Sequence, residues 1–368
     1  MTAFLGIDSS LTGRRWIGPP ADLERLAEGL AQQAALPLPV ARVLAERGVP
    51  PAEAAGFLAP KLRDLLPDPL TLRDMDVAAE RLVDAAVNGQ RIAIFADYDV
   101  DGGSSAALLI DWLHQHGRQA TLYIPDRIDE GYGPNVPAMT ALAAAHDLIV
   151  CVDCGTLSHD ALAAAAGCDV IVLDHHLGGE TLPPALAVVN PNRMDEDGAL
   201  GHLCAAGVVF LTLVQAGRVL RQRGLPQPDL MAMLDLVALA TVADVAPLVG
   251  VNRAFVRQGL AVMARRQRAG LVALSDIARL DGAPSAFHLG FLLGPRINAG
   301  GRVGRADLGA LCLSCRDASQ ADQLARQLDA LNSDRRAIEA AVRLEALSQV
   351  EARGDARLSW AAGAGWHP

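Results

Sequence analysis

The chain has 368 residues, a formal net charge of -10 and a composition that is 51% hydrophobic but only 4% aromatic. This length is enough for two or more domains, and the acidic balance excludes a generally basic coat for nucleic acid. A polyanionic ligand would have to be held by local arginines or by bound cations. No apolar run in the sequence approaches the roughly 18 residues of a membrane span.

Residues 1–75 show helical periodicity and no obvious chemistry, which predicts an N-terminal helical segment. The start of the chain lacks a charged region followed by an apolar core, so we expect a cytoplasmic protein with reduced thiols. From residue 76 onward, helical and strand patterns alternate, which predicts an α/β fold with a parallel sheet and helices on both faces. The predicted helices are 77–86, 104–116, 136–146 and 159–166, and the predicted strands are 92–96, 120–124, 148–152 and 170–173.

The first predicted strand ends at three acids spaced by two, Asp97, Asp99 and Asp101, before two glycines open a helix. Carboxylates crowded on one short loop repel each other, so a divalent cation would neutralise them. Their hard oxygens suit magnesium or manganese. A solvated acidic turn or a helix N-cap is the alternative for an isolated motif of this kind, and an EF-hand would need a closing glutamate that the spacing does not supply.

Two further predicted strands end in residues of the same kind. Strand 148–152 runs into Asp153, and strand 170–173 runs into Asp174, His175 and His176. Because the carboxyl ends of parallel strands share one edge of a sheet, we expect these side chains to converge with the first acidic group. Their joint occurrence favours a metal site over unrelated helix caps and turns.

The second half of the chain adds another candidate ligand and a possible phosphate contact. Asp244 lies in an almost uncharged helical run. A lone buried carboxylate is costly unless it is paired or metal-bound, although a hydrogen bond to a neighbouring helix end would also explain it. The stretch 294–305 is rich in glycine and arginine, so guanidinium groups and backbone amides could contact phosphate. Residues 317–352 predict one long amphipathic connecting helix.

With these motifs assembled, the chain resembles the DHH phosphoesterase superfamily and, within it, the RecJ-type single-strand-specific exonucleases. The matching segments occur in order: ADYDVDG at 96–102, IPDRIDEGYGPN at 124–135, VDCGT at 152–156, DHH at 174–176, LCAAGVVF at 203–210, ATVADVAPL at 240–248 and GPRINAGGRVG at 294–304. The leader, with TGRRW and FLAPKLRDLLPDP, also resembles this family. The likeness covers essentially the whole chain.

The resemblance implies roles for individual residues. A pair of Mn²⁺ or Mg²⁺ ions would be held by Asp97, Asp99, Asp153, His175 and Asp244. The catalytic residues would be Asp101, which matches an acid usual in the RecJ branch, Asp174, which orients a histidine, and His176, which contacts the scissile phosphate. The phosphates of the strand would face Arg127, Arg296, Asn298 and Arg302.

The resemblance also implies an activity and a domain organisation. The activity is 5'-to-3' hydrolysis of single-stranded DNA by two metal ions in repair and recombination. The expected protein is a monomer that acts away from membranes, with single-strand-binding protein and a helicase as further partners. The DHH catalytic domain would cover 76–310 and the connecting helix 317–352. Residues 353–368, which end in WHP, would be the truncated start of a DHH-associated second domain.

Alternatives remain open for the function and for base recognition. The chain could be a DHH phosphodiesterase of short oligonucleotides or cyclic dinucleotides, or an inactive truncated DHH module that serves as a scaffold. Aromatic residues that could stack on bases are few, and Phe95, Tyr98 and Tyr132 are candidates that could equally be packing residues.

Overall fold

The computed structural model describes residues 3–127, 129–354 and 357–366. Some predicted segments include residues outside these ranges: the N-terminal segment 1–75 contains residues 1–2, the motif at 124–135 within the domain 76–310 contains Ile128, and the region 353–368 contains residues 355–356 as well as His367 and Pro368 of the WHP motif. The chain divides into two compact units, Met1–Leu66 with Val249–Ala254, and Pro67–Leu248 with Phe255–Pro368.

The smaller unit is helical, as the periodicity of its sequence predicts. Its helices are α1 (Ala21–Gln33), α2 (Leu38–Glu46), α3 (Ala54–Leu58) and α4 (Leu62–Leu65). Small and branched apolar side chains such as Ala27, Leu30 and Leu44 form its buried core. Arg42 of α2 donates from Nε to Glu24 of α1 at 2.9 Å, which ties the two helices together.

The larger unit contains the alternating helices and strands. In chain order they are α5 (Met75–Asn88), β1 (Ile92–Ala96), α6 (Val100–Gln115), β2 (Ala120–Tyr123), α7 (Val136–Ala145), β3 (Leu148–Val152), α8 (His159–Ala163), β4 (Asp169–Leu173), β5 (Ala187–Val189), α9 (Ala205–Gln222), α10 (Leu234–Ala243), α11 (Gly250–Met263), α12 (Ala269–Ile277), α13 (Ala286–His288), a π-helical turn (Leu289–Leu293), α14 (Gly294–Val303), α15 (Leu308–Ser314) and α16 (Ala318–Arg353). The first residues of α11 belong to the smaller unit.

Within the described residues, the strands form one parallel sheet in the order β2-β1-β3-β4-β5. This confirms the predicted α/β fold class. β1 and β3 are buried along their whole length, as expected for parallel strands covered on both faces. Alternate residues such as Phe95 and Cys151 pack with Met139 of α7 and Leu162 of α8. β5 was not predicted, because its three residues are too short to show a strand pattern.

Helix α6 begins at Val100, four residues before the predicted start, because Asp99 caps it. The Asp99 Oδ1 atom accepts hydrogen bonds from the backbone amides of Asp101 at 2.8 Å and Gly102 at 3.0 Å. Such a cap satisfies amides that have no partner within the helix. Asp101 therefore lies in the first helical turn rather than in an acidic loop.

The glycine- and arginine-rich stretch is also helical, so it does not offer the open backbone amides that its sequence predicted for phosphate. Residues Gly294–Val303 form α14. The glycines permit close packing instead: a Cβ on Gly301 would lie 2.1 Å from Cδ2 of Tyr98, and a Cβ on Gly300 would lie 3.2 Å from Cδ2 of Leu328. The long helix α16 begins one residue after Asp317, whose side chain accepts from the Gln320 amide at 2.7 Å.

The helices in the described parts of the chain are too short or too polar to cross a lipid bilayer.

Candidate metal centre

The register of the sheet brings three acidic residues together at one edge. Ala96 of β1 pairs with Val152 of β3, which pairs with Leu173 of β4. Each is the last residue of its strand, so the next residue of each strand, Asp97, Asp153 or Asp174, emerges at the same carboxyl edge. This edge is where open parallel sheets place their ligands.

The metal-competent side chains near this edge form three overlapping groups. In each group, one ligand atom per residue lies within 4.8 Å of the others. The groups are Asp97–Asp99–Asp153, Asp153–His175–His176 and Asp101–His175–Asp244. Because Asp153 and His175 each belong to two groups, the groups form one continuous cluster. The structure thus brings together residues that are up to 147 positions apart in the sequence.

Asp153 is the central residue of this cluster. It is only 2% exposed, and its backbone φ of 59° lies in the left-handed region, which aspartate adopts more readily than most residues. Its Oδ1 atom is buried without a hydrogen-bond partner among the described residues. That atom lies 3.2 Å from Nε2 of His175, but the contact lacks hydrogen-bond geometry. A buried carboxylate oxygen that accepts no hydrogen bond is energetically unfavourable. This atom is therefore suited to an electrostatic interaction with a cation.

Asp101 is held by the N-terminus of helix α9. Its two carboxylate oxygens accept hydrogen bonds from the backbone amides of Ala205 at 2.6 Å and Ala206 at 2.8 Å. The free amides and the dipole at a helix N-terminus stabilise a negative charge. The Asp101 Oδ2 atom also lies 3.7 Å from Nε2 of His175. Asp101 therefore links α9 to the cluster.

Asp174 holds the histidine pair in place. Its carboxylate accepts from the amide and hydroxyl of Thr156, from the amides of His175 and His176, and from Nδ1 of His176 at 2.8 Å. The other ring nitrogen of His176, Nε2, lies 3.2 Å from the hydroxyl of Tyr132. The imidazole of His176 is therefore oriented from both sides.

Two asparagines that the sequence analysis missed support the same loop. Asn190 donates from Nδ2 to the hydroxyl of Thr156 and to the carbonyl of His176, both at 2.8 Å. Asn192 donates from Nδ2 to the carbonyl of His175 at 2.5 Å. Both follow β5, and the signal in the sequence was a three-residue apolar segment, AVV, followed by polar residues, which is too short to predict a strand.

Burial and neighbouring carboxylates disfavour the ionised forms of the acidic cluster. Burial and the charge of Asp99 raise the pKa of Asp97 to about 7 and the pKa of Asp244 to about 6. The pKa values of Asp101 and Asp153 are raised well above the usual range, first by burial and then by nearby carboxylates. Buried like charges of this kind are stabilised by a bound cation.

The two histidines are shifted in opposite directions. Burial and the charge of His176 lower the pKa of His175, which favours the neutral imidazole that binds metals. The hydrogen bond to Asp174 raises the pKa of His176. Although burial acts against it, the hydrogen bonds from His176 and Thr156 keep the pKa of Asp174 below its usual value. The pair therefore combines His175, whose neutral imidazole can bind a metal, with His176, whose ring favours the protonated, cationic form.

A cleft of about 180 Å³ begins at Ala243, the last residue of α10, which directly precedes Asp244. It is lined by Ala243, Gly290, Gly294, Pro295, Asn298, Arg302 and Arg335. The predicted phosphate contacts Asn298 and Arg302 thus lie in one cleft. The guanidinium of Arg296 is engaged elsewhere, because it donates to Asp329 of α16 at 2.8 Å and to the carbonyl of Leu292 at 2.7 Å.

The remaining predicted phosphate contact and the aromatic candidates have different surroundings. Arg127 is exposed and donates from Nη1 to the hydroxyl of Tyr98 at 2.7 Å. Phe95 is fully buried and stacks on Tyr123, so it is a packing residue rather than a surface for bases. Tyr132 is 59% exposed beside His176.

Gly102 is required by the close approach of α6 to the end of β1. A Cβ at this position would lie 2.4 Å from the carbonyl oxygen of Asp97. We expect Gly102→Ala to displace Asp97 and to destabilise the protein by about 1–3 kcal/mol, as overpacking does. Urea denaturation would measure the loss. Gly103→Ala is the matched control, because its Cβ would meet Ala310 at an ordinary 3.5 Å. Equal midpoints for the two variants would contradict the steric argument.

Comparison with known proteins identifies the family. Residues 91–241 match the model of the DHH family, N-terminal domain. The chain is 42% identical over 329 residues to the single-stranded-DNA-specific exonuclease RecJ of Dickeya dadantii, a match that covers 86% of this chain and 56% of that protein. The chain therefore spans little more than half the length of this relative.

Solved structures agree with this match. The crystal structure of an exonuclease RecJ bound to manganese is 37% identical, with a TM-score of 0.68 and coverage of 75% of this chain and 70% of that one. The structure of RecJ in complex with Mn²⁺ from Thermus thermophilus is 33% identical, with a TM-score of 0.74 and coverage of 90% and 47%. The ordered motifs, the sheet with its acidic edge and these matches lead to one conclusion: the chain belongs to the RecJ family of the DHH superfamily.

Proposed function

We propose that this chain is the catalytic part of a metal-dependent exonuclease that hydrolyses the phosphodiester bonds of single-stranded DNA from the 5' end. The observation that carries the proposal is the convergence of carboxylates and imidazoles around the buried, unpartnered Oδ1 of Asp153. Relatives of the same family are named single-stranded-DNA-specific exonucleases. The proposed role is in DNA repair and recombination.

The residues of the cluster fit divalent cations. Hard carboxylate oxygens and a neutral imidazole suit Mn²⁺ or Mg²⁺, and two related solved structures contain manganese. We propose that two ions are held by Asp97, Asp99, Asp153, His175 and Asp244. When bound, such ions lower the pKa of a water that attacks phosphorus and stabilise the leaving oxygen.

The protein groups around the ions would orient the substrate. His176 is oriented by Asp174. Because its pKa is raised, its protonated ring can donate a hydrogen bond to a non-bridging phosphate oxygen and stabilise the negative charge there. Asp101, fixed by the N-terminus of α9, would hold His175 in position rather than contact the substrate. Arg302 and Asn298 in the cleft, together with the exposed Arg127, would bind phosphates along the strand. We assign Arg296 to fixing α14 on α16.

The wider organisation follows from the same proposal. The DHH catalytic domain would cover 76–310 and α16 would be the connecting helix. The protein would act in the cytoplasm as a monomer, with single-strand-binding protein and a helicase as partners that supply single strands.

The experiment that tests the function is metal removal and replacement. We expect dialysis against EDTA to abolish hydrolysis of a long 5'-phosphorylated DNA strand and Mn²⁺ to restore it, because the carboxylate cluster would otherwise lack its cations. The melting temperature should rise with Mn²⁺, since binding to the folded state stabilises it.

Substrate length separates the alternatives. Cleavage of a dinucleotide but not of the long strand would favour a phosphodiesterase of short oligonucleotides or cyclic dinucleotides. Binding of Mn²⁺, seen as a rise in melting temperature, without cleavage of either substrate would contradict the proposal and favour an inactive module.

A further inference from the structure

Two phenylalanines that the metal centre does not use form an exposed aromatic pair. Phe287 is 60% exposed and Phe291 is 70% exposed. Their rings are stacked with centroids 5.1 Å apart and planes at 25°. Exposing two stacked aromatic rings to water is unfavourable, so this pair is a candidate contact surface.

The pair lies beside the cleft at the metal centre. Phe291 belongs to the π-helical turn Leu289–Leu293, which joins α13 to α14. Gly290, the preceding residue, lines the cleft, and a Cβ there would lie 3.4 Å from Val242 of α10. Val242 is two residues before Asp244, so the turn that carries Phe291 packs against the end of the helix that presents a proposed ligand. Turns of this type are frequent at functional sites.

The aromatic pair adjoins residues that line the cleft. The lining includes Gly290, Gly294, Pro295, Asn298 and Arg302. Phe291 directly follows Gly290 and lies four residues before Pro295, and its ring stacks on Phe287. The exposed pair therefore lies next to segments of the cleft wall.

The cleft carries the charge that a nucleic-acid backbone requires. Arg302 is exposed and has no ion-pair partner among the described residues. Arg335 of α16 lines the same cleft, where its Nη1 pairs with the exposed Glu339 at 2.9 Å and its Nη2 donates to Asn332 at 3.2 Å. Arg302 and Arg335 also line a second pocket, which continues along α16 to Arg343. Positive groups that track a backbone next to exposed aromatic rings are typical of single-strand binding.

We propose that Phe287 and Phe291 form a stacking platform for the bases of a single-stranded DNA whose phosphates lie in the Arg302–Arg335 cleft. This inference rests on the proposed function and adds a base-contacting surface to it. A flat apolar platform contacts every base through its π-face, so it would bind strands without sequence preference. It would also require unpaired bases, which favours single strands over duplex.

The test is a binding measurement with EDTA present, so that no strand is hydrolysed. Fluorescence anisotropy of a labelled oligothymidylate would be compared with that of a strand of the same length made of abasic sites. The Phe287→Ala/Phe291→Ala variant should bind oligothymidylate about 5- to 150-fold more weakly, the effect of losing about one stacked base. Its affinity for the abasic strand should equal that of the unchanged chain, because the phosphates remain in place.

Single substitutions and a matched control separate stacking from general apolar contact. Phe291→Tyr should keep the affinity for oligothymidylate, whereas Phe291→Leu should lose part of it. Leu344→Ala is the control, because Leu344 is also 70% exposed but belongs to α16 and lines neither of the two pockets; it should leave both affinities unchanged. Circular dichroism would confirm that each variant is folded.

Failure of this inference differs from failure of the proposed function. Equal affinity of the double alanine variant and the unchanged chain for oligothymidylate would overturn the platform, as would an equal loss on the abasic strand. Absence of Mn²⁺-dependent hydrolysis by the unchanged chain would contradict the nuclease proposal instead, whatever the binding data show.

Discussion

The isosteric substitution Asp153→Asn is expected to abolish metal-dependent hydrolysis and, at the same time, to stabilise the metal-free protein. Asp153 belongs to two of the three metal-competent groups, so its loss weakens both. Substitution of a residue that merely supports a metal ligand lowers metal affinity or activity about 10- to 100-fold. Substitution of a ligand that two groups share should lower the activity further. Steady-state hydrolysis of a labelled single strand in Mn²⁺ would measure the loss.

The stability change has the opposite sign because the Asp153 carboxylate is buried among like charges. Its pKa is raised above that of the unfolded chain, so the folded state binds the proton more tightly and loses stability as the pH rises from the unfolded pKa through the folded one. Asparagine does not titrate. The advantage of Asp153→Asn in melting temperature without metal should therefore grow between about pH 4 and neutral pH, and Mn²⁺ should reduce or reverse it.

The prediction for Asp153→Asn has a matched control variant and a result that would contradict it. Asp281→Asn changes an exposed aspartate in the same way and should alter neither hydrolysis nor the melting temperature. Retention of the unchanged rate by Asp153→Asn would remove Asp153, and with it the shared centre, from the mechanism. His175→Ala should also abolish hydrolysis. Asp99→Ala is a less clean test, because Asp99 caps α6 and its loss would cost about 1 kcal/mol of stability.

The second large effect is expected outside the metal centre, at the buried ion triad that Arg268 forms with Asp111 and Asp235. This guanidinium contacts Asp111 of α6 at 2.5 Å and Asp235 of α10 at 2.9 Å, and all three side chains are at most 11% exposed. Burial raises the pKa of Asp235 even though Arg268 lowers it, which shows how unfavourable an unpaired carboxylate would be here. Helix α6 also carries Asp101, and α10 ends directly before Asp244. By joining these two helices, the triad supports the metal centre.

Removal of Arg268 alone should leave the buried Asp235 without a cationic partner and Asp111 with only the longer contact to Arg316, at 3.4 Å. We expect Arg268→Met to destabilise the protein by about 3–5 kcal/mol, the cost of breaking a buried pair by deleting one member. Urea denaturation, with the transition followed by circular dichroism, would measure it. The triple variant Arg268→Met/Asp111→Asn/Asp235→Asn removes the uncompensated charges and should recover much of the loss.

An exposed ion pair provides the comparison for the triad. Arg326→Met breaks a contact with Asp322 on the surface of α16 and should cost at most about 0.5 kcal/mol. If Arg268→Met were as mild as this control, the triad would not contribute to stability as argued. If the triple variant were less stable than Arg268→Met, uncompensated charge would not be the cause of the loss.

Local sequence patterns were enough to predict the sheet and the residues at its carboxyl edge. Short apolar strands end at Asp97, Asp153 and Asp174, and the carboxyl ends of parallel strands must share an edge. The predicted α/β fold was therefore correct, and Asp97, Asp153, His175 and Asp244 lie in linked groups of metal-competent side chains. The sheet and its acidic edge can be predicted because strand period, apolar composition and ligand chemistry are local properties of the chain.

The partners of individual side chains could not be predicted from the sequence, because they depend on how distant segments pack. The attachment of Asp101 to the N-terminus of α9, the pairing of Arg296 with Asp329, and the contacts of Asn190 each join segments whose distance depends on how helices pack. The exposure of Phe287 and Phe291 could not be predicted either, because an aromatic residue at helical spacing gives the same sequence pattern whether its side chain is buried or exposed. Local sequence specifies which chemistry is available, whereas the packing of distant helices decides which atoms meet.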